Sequence, residues 1–135
     1  PSLRGIVIDA SQIPDMVPAL ALVALAANGT TAIRHAERLR LKESDRLMSV
    51  TEVLNALGGR VEERPDGLVI TGRGVLSGGR ADGYNDHRIV MMAAIASLIT
   101  TDKVILTGSA AVNKSYQTFF NELEEKKMGN KLERR

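Results

Sequence analysis

Apolar and polar residues follow two different patterns along the chain, which predict two kinds of helix. Residues 17–27, within a helix predicted over 13–28, are apolar on nearly every side, and the helix predicted over 86–99 is similar. Helices of this kind are expected to be buried all round. Two further helices, predicted over 42–57 and 115–127, are amphipathic and should be half exposed. The expected core face of the first of these comprises Leu47, Val50, Val53, Leu54 and Leu57.

Short apolar runs between the helices predict strands. These runs cover residues 5–10, 30–33, 60–63, 68–71 and 103–107, and a further extended stretch ends at Tyr84. Pro65, Asp66 and Gly67 separate the third run from the fourth and predict a hairpin. Asn28 and Gly29 predict a left-handed end to the first helix.

The order of these elements repeats along the chain. Asp86 follows Asp15 by 71 residues, and Lys114 follows Glu43 by the same interval. A repeated unit of strand, apolar helix, strand, amphipathic helix and hairpin is therefore predicted, with the hairpin missing from the second copy. Polar residues at equivalent helix entrances should then meet on one rim of the fold.

We predict one domain over residues 1–135, of α+β class, in which strand-helix-strand-helix-hairpin repeats pack buried helices inside mixed sheets. The repeat units are expected at about 5–75 and 76–127, followed by a frayed, charged tail over 128–135. Because the chain starts at Pro1 without Met and enters a strand almost at once, we expect it to be part of a longer protein.

Composition argues against several classes of function. Hydrophobic residues make up 44% and charged residues 25%, which is typical of a globular chain. The net charge is +2, its charged residues are interspersed along the chain, and aromatic residues are only 3%. The chain therefore lacks the usual features of a basic RNA-binding module. The absence of Cys excludes disulfides and thiolate metal sites, and two His cannot form a zinc site alone. The longest apolar run, 16–27, is shorter than the ~20 residues that a membrane span needs.

A first charged cluster lies in the segment LRLKESDRL, residues 39–47. Lys42 and Arg46 are expected on one face of the predicted helix, with Glu43 three residues before Arg46. Cations in a first helical turn oppose the helix dipole, so their presence there indicates an anion site. The alternative is a solvated helical face with an ordinary intrahelical ion pair.

A second cluster, residues 84–88, places His87 and Arg88 at the entrance of an apolar helix that Asp86 can cap. A cation at this position needs an anionic partner, which is either a ligand or Asp86 in a structural ion pair. Asp15 can be explained as a first-turn acid and Lys114 as a surface lysine. Taken together, these cations and carboxylates describe a site for a strongly anionic small molecule beside acid–base groups.

The motifs IPD, KESDR, NDHR and NKSYQTFF give the chain a resemblance to the 3-phosphoshikimate 1-carboxyvinyltransferases, also called 5-enolpyruvylshikimate-3-phosphate synthases. The motifs occur in family order over nearly the whole chain. The resemblance implies the C-terminal part of a cytoplasmic, monomeric, two-domain enzyme of the shikimate pathway. That enzyme needs no metal or organic cofactor, and it moves the carboxyvinyl group of phosphoenolpyruvate to the 5-hydroxyl of shikimate 3-phosphate.

The resemblance also implies individual roles. Asp15 resembles the base for the 5-hydroxyl and a substrate contact, and Glu43 resembles the group that exchanges a proton with the methylene carbon. The remaining matched residues resemble substrate-binding groups. Arg46, Arg88 and Lys114 match the phosphoenolpyruvate site, with His87 supporting it, and Lys42 matches a contact to the shikimate hydroxyls.

Two departures from the family limit what is expected. Arg38 stands where some members carry an Asn that contacts the shikimate ring. The N-terminal residues that bind the shikimate phosphate in the family lie outside this chain, so the fragment alone is expected to be inactive. A UDP-N-acetylglucosamine enolpyruvyl transferase and an anion-binding module without catalysis are the alternatives. Neither a nucleic acid nor a membrane is expected as a partner.

Overall fold

The computed structural model describes residues 6–110 and 132–135, and the elements follow the predicted order. The helices are α1 (Val17–Ala26), α2 (Arg46–Ala56) and α3 (His87–Ala96), with 3₁₀ turns at Pro14–Met16, Glu37–Leu41 and Ser97–Ile99. The strands are β1 (Val7–Asp9), β2 (Thr30–Arg34), β3 (Arg60–Arg64), β4 (Gly67–Thr71), β5 (Gly79–Asp82), β6 (Val104–Thr107) and β7 (Leu132–Arg134). The α+β class is confirmed. The helix predicted over 115–127 lies outside the described residues.

The strands form two sheets with related pairing. In the first, β1 and β2 are parallel while β2, β4 and β3 pair antiparallel, in the order β1-β2-β4-β3. In the second, β5, β6 and β7 are all parallel. In each half of the described chain, an apolar helix therefore connects two strands that pair in parallel. The strands β3 and β4 form the predicted hairpin. The same entrance, the N-terminal end of the apolar helix, occurs once in each half.

The expected frayed tail is wrong for residues 132–134. Leu132 lies opposite Val104, and the ammonium group of Lys103 lies 2.6 Å from a carboxylate oxygen of Glu133. The cause is the free edge of β6, whose backbone donors and acceptors can pair with any extended segment that reaches them. Composition alone does not reveal such pairing.

The apolar helix α1 lies against the core but is not buried all round. Val17 and Ala21 are 0% exposed, whereas Val23 is 57% exposed. The prediction of complete burial is therefore wrong for one side of α1, and it is also wrong for α3, where Ile95 is 40% exposed. An exposed apolar side of this kind is typical of a surface that binds another protein segment. Among the described helices, none combines the length and the apolar character needed to cross a bilayer.

The amphipathic helix α2 has the predicted buried face, but it begins at Arg46 and not at Lys42. The five predicted core residues on this face are each at most 1% exposed. Asp45 is the N-cap, and its carboxylate accepts the backbone N–H of Met48 at 3.2 Å. Arg40 forms ion pairs that stabilise this cap, because its guanidinium lies 2.9 Å from Asp45 and 2.5 Å from Glu63 on β3. Residues 42–44 therefore form a bend before the helix.

Gly67 occupies a position that admits no side chain. A Cβ there would lie 1.8 Å from the carbonyl oxygen of Ile33 on β2. We expect Gly67→Ala to destabilise the chain by about 1–3 kcal/mol, because the sheet must shift to relieve the overlap. Urea unfolding measures this change. Gly74→Asn is the control, because Gly74 has φ +79° with open space around it and Asn tolerates that backbone; an equal loss in both variants would contradict the packing explanation.

Candidate active site

The N-terminal ends of α2 and α3 meet at one buried arginine. Arg46, the first residue of α2, is 2% exposed, and its guanidinium forms an ion pair with the carboxylate of Asp86, which is 0% exposed. Nε donates to Oδ2 at 2.9 Å and Nη2 donates to Oδ1 at 3.1 Å. This two-point geometry fixes the plane of the guanidinium. Arg46 therefore has one orientation, set by an acid from the other half of the chain.

The other side of the same guanidinium faces exposed carboxylates. Nη1 donates to Asp15 Oδ1 at 3.1 Å, and Nη2 also donates to Glu43. The side chains of Asp15 and Glu43 are 52% and 50% exposed. The ammonium group of Lys42 lies 3.5 Å from the same Asp15 oxygen. Because Asp15 and Glu43 are in contact with solvent, an incoming anion can displace them from Arg46 without burying an unpaired charge.

Asp86 combines a helix cap with a buried ion pair. Its carboxylate accepts four hydrogen bonds, two from Arg46, one from the Ser44 hydroxyl at 2.8 Å and one from the Arg88 backbone N–H at 3.0 Å. Burial alone raises the pKa of Asp86, but the bonds from Arg46 and Ser44, the charge of Arg46 and the Arg88 amide outweigh it. The result is a pKa below the ordinary 3.8. Asp86 therefore stays ionised in the folded protein.

This lowered pKa predicts loss of stability in acid. The unfolded chain binds a proton at Asp86 near the ordinary value of 3.8, while the folded chain resists it. The stabilisation is thus complete above that value and is lost as the pH falls through the lower folded-state pKa. Urea unfolding between about pH 6 and pH 2.5 should show this slope. Asp86→Asn should flatten it, and an unchanged slope in that variant would contradict the assignment.

The remaining candidates stand around this pair with different contacts. Arg88, in the first turn of α3, is exposed and forms no ion pair with another described residue. Arg88 and Asp15 both line an otherwise apolar groove of about 210 Å³ between α1 and α3. His87 is half-buried and lies close to Glu43 and Asp86. Lys114 falls outside the described residues. The free guanidinium at the rim of the groove is thus a cation available to a ligand.

A metal ion is a poor match for these acids. Glu43, Asp86 and His87 present ligand atoms within 4.8 Å of one another. Both oxygens of Asp86, however, already accept hydrogen bonds from the buried guanidinium of Arg46. A cation placed there would oppose that guanidinium. The arrangement suits an ion-paired acid next to an anion site better than a metal centre.

Of the predicted site residues, Asp15 and Glu43 contact Arg46 and Lys42 contacts Asp15, but two expectations change. Lys42 does not share a helical face with Arg46, because α2 starts at Arg46; both residues instead contact Asp15. The structural ion pair of Asp86 is made with Arg46 and not with Arg88, which gives Asp86 only its backbone N–H. The alternative of a simple intrahelical pair is insufficient, since Arg46 contacts both halves of the chain.

Two residues of the site are not evident from the sequence. The sequence suggests a helix cap or a local ion pair with Arg88 for Asp86, and it gives Ser44 no role. A signal for Asp86 did exist, because the 71-residue offset that relates Asp15 to Asp86 makes them equivalent acids. The structure shows these two acids on opposite sides of one guanidinium.

Comparison with known proteins identifies the family of this chain. A family profile described as EPSP synthase (3-phosphoshikimate 1-carboxyvinyltransferase) matches residues 1–123. The chain is 50% identical over 122 residues to proteins of that name from Clostridium novyi (strain NT) and Clostridium acetobutylicum. It is 47% identical over 131 residues to another from Methanocella arvoryzae. These matches cover 90–97% of this chain but only 28–30% of the relatives. The chain belongs to the EPSP synthase family.

Proposed function

We propose that this chain supplies part of an active site that transfers the carboxyvinyl group of phosphoenolpyruvate to the 5-hydroxyl of shikimate 3-phosphate, releasing phosphate. The observation that carries the proposal is Arg46, held between acids from both halves of the chain with its outer side facing solvent-exposed carboxylates. The names of the relatives support the choice of substrates.

Guanidinium groups suit the substrate anion that this reaction requires. Arg46 and Arg88 would hold the carboxylate and phosphate of phosphoenolpyruvate, since planar guanidinium forms two-point contacts with both groups. The substrate would then take the places that Asp15 and Glu43 occupy on the outer side of Arg46. Lys42 would contact the shikimate hydroxyls, Lys114 would add charge, and His87 would support the site.

The displaced carboxylates would perform the proton transfers. Asp15 would take the proton of the 5-hydroxyl as its oxygen forms a bond to C2 of phosphoenolpyruvate. Glu43 would deliver a proton to the methylene carbon, which gives a tetrahedral intermediate with a methyl group. Loss of phosphate from C2 and return of one methyl proton to Glu43 would then form the carboxyvinyl ether, and the hydroxyl proton held by Asp15 would leave with the phosphate. The net reaction exchanges a C–O bond to phosphate for one to the acceptor and needs no external oxidant or reductant.

The rest of the enzyme is required for this chemistry. Within the described residues, the charges of Lys42, Arg46 and Arg88 are balanced by Asp15, Glu43 and Asp86. A site of no net charge attracts a multiply charged anion weakly, so further cations must come from elsewhere. The apolar side of α1, with Val23 57% exposed, also fits coverage by the remaining part of the protein. We infer that the complete enzyme acts as a cytoplasmic monomer.

Phosphate release tests the proposal. The assay would use this chain alone and a completed enzyme, defined as the Clostridium novyi relative whose matching segment is replaced by this chain. We expect release only with the completed enzyme, and only when phosphoenolpyruvate and shikimate 3-phosphate are both present. Asp15→Asn should abolish it. A folded completed enzyme that releases nothing, or that works with UDP-N-acetylglucosamine instead, would overturn the assignment.

A further inference from the structure

We propose that Asp86 is the positioning residue for phosphoenolpyruvate, fixing Arg46 and the Arg88 backbone in one arrangement from a single buried carboxylate. This inference rests on the proposed function, because Asp86 would act through the anion-binding arginines and not on substrate directly. Asp86 is 0% exposed, and each of its contacts joins it to a segment that carries a candidate substrate group.

The contacts divide Arg46 into a fixed side and an exchangeable side. Nε and Nη2 are held by Asp86, while Nη1 reaches the half-exposed Asp15. A ligand that replaces Asp15 and Glu43 therefore meets a guanidinium whose plane is already set. Preorganisation of this kind lowers the entropy cost of binding, and displacement of a binding group by about 1 Å can cost on the order of a hundredfold in rate.

Helix capping alone does not explain a buried ion pair at this place. Asp45 caps α2 with the same residue type, and its partner Arg40 lies at 28% side-chain exposure. Asp86 caps α3 but takes its charge partner from 40 residues away at 2% exposure. Burying two charges stabilises a fold little compared with apolar packing, so the pair needs a reason other than stability. Control of the orientation of Arg46 supplies that reason.

Ser44 strengthens the same arrangement. Its hydroxyl donates to Asp86 Oδ2 at 2.8 Å, so the carboxylate cannot rotate without breaking this bond. Ser44 directly follows Glu43, the proposed proton-exchange group. Asp86 thereby also fixes the bend before α2 that carries Lys42 and Glu43.

Kinetics of Asp86→Asn in the completed enzyme test the inference. Asn caps a helix well but leaves an N–H₂ group against a donor of Arg46 or Arg88. We expect the KM for phosphoenolpyruvate to rise about 10- to 100-fold while the KM for shikimate 3-phosphate changes less than about twofold. Asp45→Asn is the matched control, with neither constant changed. Equal rises in both KM values, or none, would overturn the positioning role.

A mutant cycle separates positioning from general damage. If Asp86 acts through Arg46, Asp86→Asn should add little to the phosphoenolpyruvate KM in an Arg46→Lys background. Fully additive effects would contradict the inference. If Asp86→Asn does not fold, Ser44→Ala tests the same contact, with an expected rise of about two- to tenfold in that KM and no change meaning failure. A parent enzyme that is itself inactive would reject the proposed function instead.

Discussion

Glu43→Gln in the completed enzyme is expected to lower kcat by about 10²- to 10⁴-fold, the usual range for removal of a general acid–base group. Gln keeps the size of the side chain and can accept the hydrogen bond from Arg46, but it cannot move a proton to the methylene carbon. The KM for phosphoenolpyruvate should change little, because the carboxylate contributes no attraction for an anion. Steady-state kinetics of phosphate release measure both constants.

The matched control for this variant is Glu62→Gln on β3. Glu62 is an exposed glutamate, 62% accessible at its side chain, whose ion pair is with Arg64 and not with the Arg46 cluster. Its kcat should equal that of the parent. An anion-binding module without catalysis predicts instead that Glu43→Gln leaves both binding and any turnover unchanged, and that result would remove the acid–base role.

Arg46→Ala is expected to destabilise the protein by about 3–5 kcal/mol and to abolish turnover. The stability loss arises because Asp86, at 0% exposure, would keep its negative charge without its partner. Arg46→Lys should retain more stability, since it keeps the charge while losing the two-point geometry. Urea unfolding gives the stability, and phosphate release gives the activity.

A double variant distinguishes the two consequences of losing Arg46. Arg46→Leu combined with Asp86→Asn removes both charges and leaves a residue that still caps α3. We expect it to recover most of the lost stability but none of the activity. Recovered turnover would show that Arg46 is needed only for folding.

The sequence predicts the local features of this fold well because short-range physics determines them. The core face of α2 follows from helical periodicity, and the hairpin of β3 and β4 follows from the turn at Pro65 and Asp66. The start of α2 is less predictable. Lys42 is compatible with a first turn, and only the cap formed by Asp45 fixes the boundary at Arg46.

The partners within the site cannot be predicted from sequence in the same way. Residue types and motifs identify Arg46, Arg88, Asp15 and Glu43 as candidates. Which acid binds which arginine depends on how the two halves pack, since Arg46 and Asp86 are 40 residues apart. Closeness in sequence suggests an ion pair between Asp86 and Arg88, which are two residues apart, whereas in the fold Asp86 faces α2. The exposure of one side of α1 likewise depends on how distant segments pack, because its own residues are apolar on that side as well.

The most direct test of the proposed mechanism is proton and phosphorus-31 NMR of the completed enzyme turning over phosphoenolpyruvate and shikimate 3-phosphate in deuterium oxide. The mechanism predicts a carboxyvinyl ether of the 5-hydroxyl, formed in equal amount to phosphate, with solvent deuterium in its methylene group. Glu43→Gln should suppress the formation of both the ether and the phosphate. Phosphate released without the ether, or an ether formed at the parent rate by Glu43→Gln, would contradict it.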